Sequence, residues 1–287
     1  MTRVLGLSSS RADAGILAPV WTALAAVDGV ELHILVTGMH RRDGAPEPAL
    51  PDGVIVHRGG LDLAGADASD AAHAMAAIAS ASADVMAATE PDLVMAIGDR
   101  LDMIPGVVAS LPFNIPVLHI HGGELSYGAV DERVRHAMSK MAHLLCVALA
   151  DAAERLARMG EEPWRIHVTG APGLDALMAA PETGSELFAR EVGLAELAGL
   201  RLVTVHPETK AADPLASLAA VLAALDAVPA PTLITAPNSD PGGAECRQRL
   251  LAFVEERPWA VFHDTLGTVL YANAMRHAAV MLGNSSS

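Results

Sequence analysis

The sequence predicts an α/β protein of two doubly wound, Rossmann-like lobes, each with a parallel sheet. Short apolar, β-branched runs alternate with Ala-rich helical stretches along the chain. The alternation is interrupted by Gly and Pro at 170–173 and then restarts. Polar residues follow strand after strand, at the ends where doubly wound sheets bind ligands. We therefore place the lobes at residues 1–175 and 176–287.

Seven strands are expected in the first lobe and four in the second. The predicted strands are 3–7, 31–36, 54–57, 92–97, 116–121, 143–147 and 166–169, followed by 201–205, 232–236, 259–262 and 279–282. The predicted helices include 15–26, 67–88, 131–142, 214–227, 243–255 and 266–275.

The bulk composition bounds the class of protein. Of 287 residues, 52% are hydrophobic and 18% charged, which is typical of a globular chain. No uncharged apolar run reaches the roughly 18 residues of a membrane span. The apolar run 1–7 is too short for a signal peptide and predicts a first strand. Two isolated cysteines, Cys146 and Cys246, fit a reducing compartment, so we expect a cytoplasmic protein with no membrane partner.

The net charge of −15 argues against a nucleic-acid partner, because nucleic-acid binders concentrate Lys and Arg on one face. An anionic small molecule stays possible, since a few arginines and helix N-termini suffice to bind a diphosphate.

A candidate active site lies in the run from His119 to Glu124 and in the segment that follows it. His119 and His121 are two residues apart at the end of a predicted strand and are expected on one face of it. The paired glycines after them allow a tight turn or a close approach to a ligand. Arg135 follows Asp131 by four residues, on the same side of a predicted helix. Acids, bases and a fixed cation are thereby concentrated in one short stretch.

With these motifs, the chain resembles the hydrolysing UDP-N-acetylglucosamine 2-epimerases, a bacterial family that feeds sialic-acid-type sugar synthesis. The matching runs, in the family order, are 10–13, 98–100, 119–124, 131–136 with 139–140, 160–163, 170–175, 206–207, 238–242 and 283–287. The resemblance implies the two-lobed fold of many glycosyltransferases, called GT-B. Family members continue past the serine cluster with a Gly and an acidic residue expected to hold the ribose. The second lobe is therefore expected to be a truncated, partial nucleotide-binding lobe.

The reaction that the resemblance implies inverts C2 of the sugar and expels UDP, giving N-acetylmannosamine. C2 has no neighbouring carbonyl, so the expected route is elimination of UDP to a glycal and then hydration of its C1–C2 double bond. This route needs a base, an acid and a stabiliser of the departing diphosphate. By resemblance, the acid/base candidates are Asp99, Glu124 and Asp131, with their separate roles open. No cofactor and no metal is required, because arginines and helix termini can neutralise the leaving group.

The substrate-binding candidates are polar residues at strand ends. Arg11 could clamp a diphosphate bidentately, and Arg135 could fix Asp131 or meet the phosphate. His206 of the second lobe could donate to the diphosphate across a cleft between the lobes, and serines before an expected helix offer N–H and hydroxyl groups. The full set is Arg11, His40, Arg100, His121, Arg135, His206, Asn238, Asp240, Ser285, Ser286 and Ser287.

Three alternatives stay open. The same chemistry could act on UDP-N,N'-diacetylbacillosamine, towards legionaminic acid, or the chain could be an inactive nucleotide-sugar-binding protein. A metal-dependent hydrolase is suggested by His119, His121 and Glu124, but the paired glycines and the lack of a third histidine at metal spacing argue against it. By analogy with relatives, a homodimer or homotetramer is expected.

Overall fold

The computed structural model describes residues 1–41, 48, 50–62, 68–126, 130–208, 211, 213–237 and 242–284. The chain divides into two compact units, Met1–Ala176 and Leu177–Ser287. Each unit contains its own parallel sheet with helices around it, so the predicted α/β, doubly wound fold class is confirmed.

The first unit is built on a seven-stranded parallel sheet. Its strands are β1 (Thr2–Ser8), β2 (Val30–Val36), β3 (Ile55–Arg58), β4 (Leu93–Ile97), β5 (Val117–Ile120), β6 (Leu144–Val147) and β7 (Ile166–Val168). Their order is β3-β2-β1-β4-β5-β6-β7, so the direction of winding reverses between β1 and β4. Crevices that bind ligands form at such switch points, beyond the carboxyl ends of the strands.

Helices flank this sheet, so its central strands are buried on both faces. The helices are α1 (Arg11–Ala25), α2 (Ala68–Thr89), α3 (Ile104–Ser110), α4 (Asp131–Met141), α5 (Ala150–Arg158) and α6 (Pro172–Ala179). Helix α6 crosses the unit boundary. Two short 3-10 turns, Gly38–Arg41 and Pro163–Arg165, complete the connections. The core is mostly aliphatic, with Trp21 as its one fully buried tryptophan among the described residues.

Helix α2, with 22 residues, is long and apolar enough to cross a membrane when judged by length and composition alone. Core helices of soluble proteins pass the same test. In this fold, Ala74, Ile78, Ser82 and Met86 form a buried stripe at four-residue spacing, which turns one face of α2 towards the rest of the unit.

The second unit has a four-stranded parallel sheet in the order β10-β9-β8-β11. Its elements are α7 (Ser185–Val192), β8 (Arg201–Thr204), α8 (Ala216–Ala227), β9 (Thr232–Thr235), α9 (Gly243–Glu255), β10 (Ala260–His263), α10 (Gly267–His277) and β11 (Val280–Gly283). Its switch point lies between β8 and β11. Just beyond it, the His206 N–H donates to Asn284 Oδ1 at 2.8 Å and Asn284 Nδ2 donates to the His206 carbonyl at 2.9 Å.

All eleven predicted strands are present, with ends within one residue of the predicted bounds. One detail is wrong. The strand that carries His119 ends at Ile120, and His121 lies beyond it with a φ of 61°. The two histidines therefore do not share a strand face.

Candidate active site

The candidate catalytic residues of the first unit follow neighbouring strands of its sheet. Asp99 lies two residues beyond β4, Glu124 lies four residues beyond β5, and Asp131 is the first residue of α4. Because β4 and β5 are adjacent and parallel, their carboxyl ends deliver Asp99 and Glu124 to the same edge.

Arg135 joins two of the three carboxylates. Its side chain is buried, and its guanidinium donates to Asp99 through Nη2 and to Glu124 Oε2 through Nη1 at 3.3 Å. Ser126 completes this group, since its hydroxyl accepts from Arg135 Nη2 at 3.2 Å and donates to Asp99 Oδ2 at 3.3 Å. We call Asp99, Glu124, Ser126 and Arg135 the bridge cluster.

The bridge cluster gives Arg135 partners that the sequence did not indicate. We expected this side chain to fix Asp131 or to meet a phosphate, which stays a prediction, and the structure adds hydrogen bonds to Asp99, Glu124 and Ser126. A buried guanidinium with two carboxylates around it is a structural centre of the site. The spacing from Asp131 to Arg135 placed both on one helix but could not indicate the partners contributed by β4 and β5.

His121 holds Glu124. Its Nδ1 lies 2.6 Å from Glu124 Oε1, and the left-handed backbone at His121 turns the ring towards that carboxylate. A non-glycine residue in this conformation costs on the order of 1 kcal/mol and is often found at functional sites. Burial raises the pKa of Glu124, but the hydrogen bond from His121 and the charges of His121 and Arg135 outweigh it and leave the pKa below its usual range. Glu124 is therefore ionised at neutral pH.

His119 is fully buried and connects two segments of the site. Its Nε2 lies 2.8 Å from the carbonyl of Gly98, the residue before Asp99, and its Nδ1 lies 3.1 Å from Ser139 Oγ, one turn after Arg135 on α4. Burial lowers the pKa of His119 to about 4, so the ring is neutral. A neutral ring can donate from Nε2 to the Gly98 carbonyl. The Ser139 hydroxyl lies between His119 Nδ1 and the Arg135 carbonyl, 2.9 Å from the latter. His119 is thus a core histidine that fixes the β4 loop against α4.

Gly122 is required by this arrangement. A Cβ atom at position 122 would lie 2.9 Å from Ser139 Oγ and 3.2 Å from His119 Nδ1. The expected close approach of the paired glycines to a ligand is, for Gly122, a close approach to the side chains that support the site.

A second polar group surrounds the end of β1. The Asp13 carboxylate accepts from Ser8 Oγ, Ser9 Oγ and the Ser9 N–H at 2.8–2.9 Å. Ser9 Oγ also lies 2.9 Å from Asp102 Oδ1, and Asp102 accepts a two-pronged hydrogen bond from Arg100, with both distances 2.9 Å. We call Ser8, Ser9, Asp13, Arg100 and Asp102 the serine–carboxylate cluster.

The remaining predicted residues are distributed as follows. Arg11 is exposed and is the first residue of α1, whose N-cap is Ser10. His40 lies in the first 3-10 turn, with Nε2 2.9 Å from Ser8 Oγ. His206 follows β8 in the second unit. Asn238, Asp240, Ser285, Ser286 and Ser287 lie outside the described residues.

Six side chains of the two clusters and their support were not predicted as site residues: Ser8, Ser9, Asp13, Asp102, Ser126 and Ser139. A weak signal existed for Asp102, which follows Arg100 by two residues after a buried strand. Ser126 and Ser139 gave no signal, because serine is common in turns and on helices and only tertiary contacts distinguish these two.

A metal site is not formed by these groups. Within the described ranges, no three or more His, Cys, Asp or Glu side chains are arranged to hold a metal ion. Both ring nitrogens of His119 face protein partners, and His121 is hydrogen-bonded to Glu124 itself.

Two doubly wound units, with acidic and basic side chains concentrated at the strand ends of the first, define a GT-B-like α/β protein. The crystal structure of UDP-GlcNAc 2-epimerase from Neisseria meningitidis bound to UDP-GlcNAc has the same fold, with a TM-score of 0.82 and 19% identity over 99% of this chain and 78% of that chain. At this identity, the likeness concerns the fold alone.

The sequence comparisons define the family. A family model described as UDP-N-acetylglucosamine 2-epimerase matches residues 22–287, and the chain belongs to this family, which confirms the resemblance. A UDP-N,N'-diacetylbacillosamine 2-epimerase (hydrolyzing) from Legionella pneumophila is 32% identical over 294 residues, covering 99% of this chain and 76% of the relative. A UDP-N-acetylglucosamine 2-epimerase from Neisseria meningitidis serogroup B is 30% identical over 293 residues, covering 100% of this chain and 76% of the relative.

Proposed function

We propose that this protein is a hydrolysing 2-epimerase that converts UDP-N-acetylglucosamine and water into N-acetylmannosamine and UDP. The observation that carries the proposal is the bridge cluster, in which Arg135 holds Asp99 and Glu124 together at the carboxyl ends of adjacent strands. Such a pair, with Asp131 at the start of α4, supplies the acid and base groups that elimination and hydration need.

In the proposed first step, a carboxylate removes the C2 proton. The electrons of the C2–H bond form the C1–C2 double bond, and the C1–O bond breaks with its electrons on the UDP oxygen. Glu124 suits the base, because it is ionised at neutral pH. In the second step, water adds hydroxide to C1 and a proton returns to C2 on the opposite face. Asp99 and Asp131 are the candidates for that proton transfer and for activating the water.

The departing diphosphate needs cations and N–H donors. Arg11 at the N-terminus of α1 and Arg100 after β4 lie at the switch point of the first sheet, where an anion is favoured by the helix dipole. In the second unit we propose that His206, Asn238, Asp240 and the serines 285–287 bind the UDP portion; His206 follows β8 at that unit's switch point.

The decisive experiment is turnover of UDP-N-acetylglucosamine by the purified chain in D₂O. We expect release of UDP together with N-acetylmannosamine that carries one deuterium at C2, because the proton returned to C2 comes from solvent. Conversion of UDP-N-acetylglucosamine into UDP-N-acetylmannosamine without release of UDP would indicate a non-hydrolysing epimerase. Release of N-acetylglucosamine with its C2 hydrogen retained would indicate a simple hydrolase, and binding of UDP without turnover an inactive binding protein.

A second candidate substrate is UDP-N,N'-diacetylbacillosamine, favoured by the 32% identity to the Legionella pneumophila enzyme named for that sugar. The chemistry at C1 and C2 is unchanged, so the two substrates are separated by measuring kcat/KM for each with the same preparation. A larger value for the diacetamido sugar would assign the chain to legionaminic-acid-type rather than sialic-acid-type synthesis.

A cytoplasmic location and a homodimer or homotetramer belong to the same proposal. Light scattering coupled to size-exclusion chromatography tests the assembly, and a monomer at working concentration would contradict it.

A further inference from the structure

The hydrogen bonds of the serine–carboxylate cluster require one proton more than the cluster would hold if Asp13 and Asp102 were both ionised. Ser9 Oγ lies 2.8 Å from Asp13 Oδ2 and 2.9 Å from Asp102 Oδ1. A serine hydroxyl has a single hydrogen to donate. If both carboxyl groups were ionised, one of these two contacts would place an anionic oxygen against a lone pair of Ser9. One of the two carboxyl groups therefore supplies the second hydrogen.

The ionised member of the pair is Asp102. Its two oxygens accept from Nε and Nη2 of Arg100 in a planar fork, the arrangement that guanidinium makes with a carboxylate. Burial lowers the pKa of Arg100, but the hydrogen bonds to Asp102 and the negative charge of Asp102, with a smaller contribution from Asp131, outweigh it and raise the pKa. Arg100 thus stays charged and needs an anion beside it.

The protonated member is Asp13. Its side chain is 5% exposed, and burial raises the pKa of Asp13 despite the hydrogen bonds from Ser8, Ser9 and Ser10, which lower it. The other titratable or charged groups at this cluster include His40, whose Nε2 lies 4.0 Å from Asp13 Oδ1, the Arg100–Asp102 pair beyond Ser9, and Asp131, whose charge acts on Arg100.

Three strand ends meet at this cluster, which shows that it is a constructed site. Ser9 follows β1 and Asp102 follows β4. Gly38 follows β2, and a Cβ atom there would lie 2.8 Å from Asp102 Oδ2 and 2.8 Å from the Ser9 carbonyl. The Met39 N–H donates to that same carbonyl at 2.7 Å. The cluster lies at the switch point of the sheet, beside the proposed reaction site.

Arg100 is the member of the cluster that can reach a ligand. Its side chain is 43% exposed, whereas that of Asp102 is 2% exposed. Among the described residues, the hydrogen bonds of Arg100 use Nε and Nη2, and the fork with Asp102 sets the direction of Nη1. Asp102 itself is too deeply buried to contact a substrate.

We propose that Ser9 links a protonated Asp13 to an ionised Asp102, and that Asp102 is a positioning residue that holds the Arg100 guanidinium at the switch point for the reaction. The need for one protonated carboxyl group follows from the two Ser9 distances, and its assignment to Asp13 follows from the fork between Asp102 and Arg100 and from the burial of Asp13. The role in the reaction rests on the proposed function. Asp13 keeps the Ser9 hydroxyl turned towards Asp102, and Asp102 keeps the fork of Arg100 fixed.

Infrared spectroscopy tests the proton without any substrate. At neutral pH, the wild-type protein is expected to show a carboxylic-acid C=O band that is absent from the Asp13→Asn variant. The band is expected to shift, and not to vanish, in Ser9→Ala, which removes the hydrogen-bond partner and keeps the acid. Ser9→Ala also keeps the test valid if Asp13→Asn does not fold. A spectrum unchanged in both variants would overturn the assignment.

A double-mutant cycle tests the positioning role. We expect Asp102→Asn to lower kcat/KM by about 10²-fold, the loss typical of a displaced catalytic group. In the Arg100→Gln background, the same substitution should cause no further loss, because Asp102 acts through Arg100. If the fold-losses in kcat/KM of the two single variants multiply in the double variant, the positioning role of Asp102 is refuted. The matched control is Asp264→Asn, which opens an Arg–Asp fork of similar geometry in the second unit and should leave kcat/KM unchanged.

The two experiments fail independently. A wild-type chain that does not turn over UDP-sugars would remove the proposed function and leave the infrared result standing. A wild-type chain that turns over, with multiplying losses in the cycle, would keep the proposed function and remove the role of Asp102.

Discussion

The Arg100–Asp102 pair of the first unit and the Arg247–Asp264 pair of the second have almost the same hydrogen bonds. Both are two-pronged, with distances of 2.9 and 2.9 Å in the first and 2.9 and 2.8 Å in the second. Their surroundings differ, since the side chain of Asp102 is 2% exposed and that of Asp264 is 63% exposed. Hydrogen-bond geometry therefore does not indicate which pair contributes more to stability and activity. The burial of the carboxylate and its further hydrogen-bond partners distinguish the two pairs.

Burial makes an ion pair more important to stability, because a buried group that loses its partner cannot form replacement hydrogen bonds with water. An exposed pair exchanges hydrogen bonds with solvent and contributes little to stability. A buried pair left without one partner keeps an uncompensated charge in a poorly polarisable environment. We therefore expect substitutions in the buried first-unit clusters to have larger effects than substitutions in the more exposed second-unit pair.

The largest expected effect is on turnover in the bridge cluster. Asp99→Asn and Glu124→Gln keep the shape of each side chain and remove its ability to take a proton, so we expect kcat to fall by about 10²–10⁴-fold. UDP affinity, measured by calorimetry, should stay close to the wild-type value. A near-normal rate in either variant would refute the acid/base role of that residue.

The next effect is on folding stability. Arg135→Met leaves Asp99 and Glu124 without their shared cation, and we expect the free energy of unfolding to fall by about 3 kcal/mol. Urea denaturation followed by circular dichroism measures the change, with Arg247→Met as the control on the exposed pair. Equal losses in the two variants would show that burial does not distinguish them.

A smaller effect concerns acid stability and His119. The ordinary pKa of a histidine is 6.5, and burial lowers that of His119 to about 4. Between these pH values the unfolded chain binds a proton at His119 and the folded chain does not, so stability falls as pH falls, by at most about 1.4 kcal/mol per pH unit. His119→Gln, which cannot titrate, should show a shallower loss. Unfolding curves at several pH values provide the measurement, and parallel pH profiles would contradict the prediction.

The smallest effect is expected at Asp264→Asn. Because the side chain of Asp264 is 63% exposed, water replaces the hydrogen bonds that this carboxylate loses. We expect no change in Tm beyond experimental error and no change in kcat/KM. A Tm loss comparable to that of Arg135→Met would show that the second-unit pair has a structural role that its exposure does not indicate.

The fold could be predicted from sequence because its signal is local. Each strand is a short apolar run, and helices and turns separate the runs, so all eleven strands were recognised. His121 is the instructive failure. It follows His119 in what reads as one strand, but the backbone turns left-handed at that residue. Pattern alone does not distinguish the last residue of a strand from the first residue of a turn.

The candidate site could be predicted in its residues and not in its contacts. Asp99, Glu124 and Arg135 were singled out, because charged groups after buried strands are uncommon without a purpose. Their arrangement, with Arg135 between the two carboxylates, depends on the packing of α4 against β5 and on the loops that follow β4 and β5. The role of Ser9 was hidden for a further reason. That one of its two carboxyl neighbours carries a proton follows only from two distances at one oxygen atom.

Two glycines, Gly38 and Gly122, are expected to tolerate no substitution in active chains. Neither Gly38 nor Gly122 has a side chain to offer a substrate, yet a methyl group at either position would collide with the support of a proposed site residue, Asp102 in one case and Ser139 and His119 in the other. A library randomised at both positions and selected for activity should return glycine at each. In chains too diverged to align along their whole length, these two glycines would then mark an intact support beneath the site, and their loss would mark chains that have kept the fold and changed their chemistry.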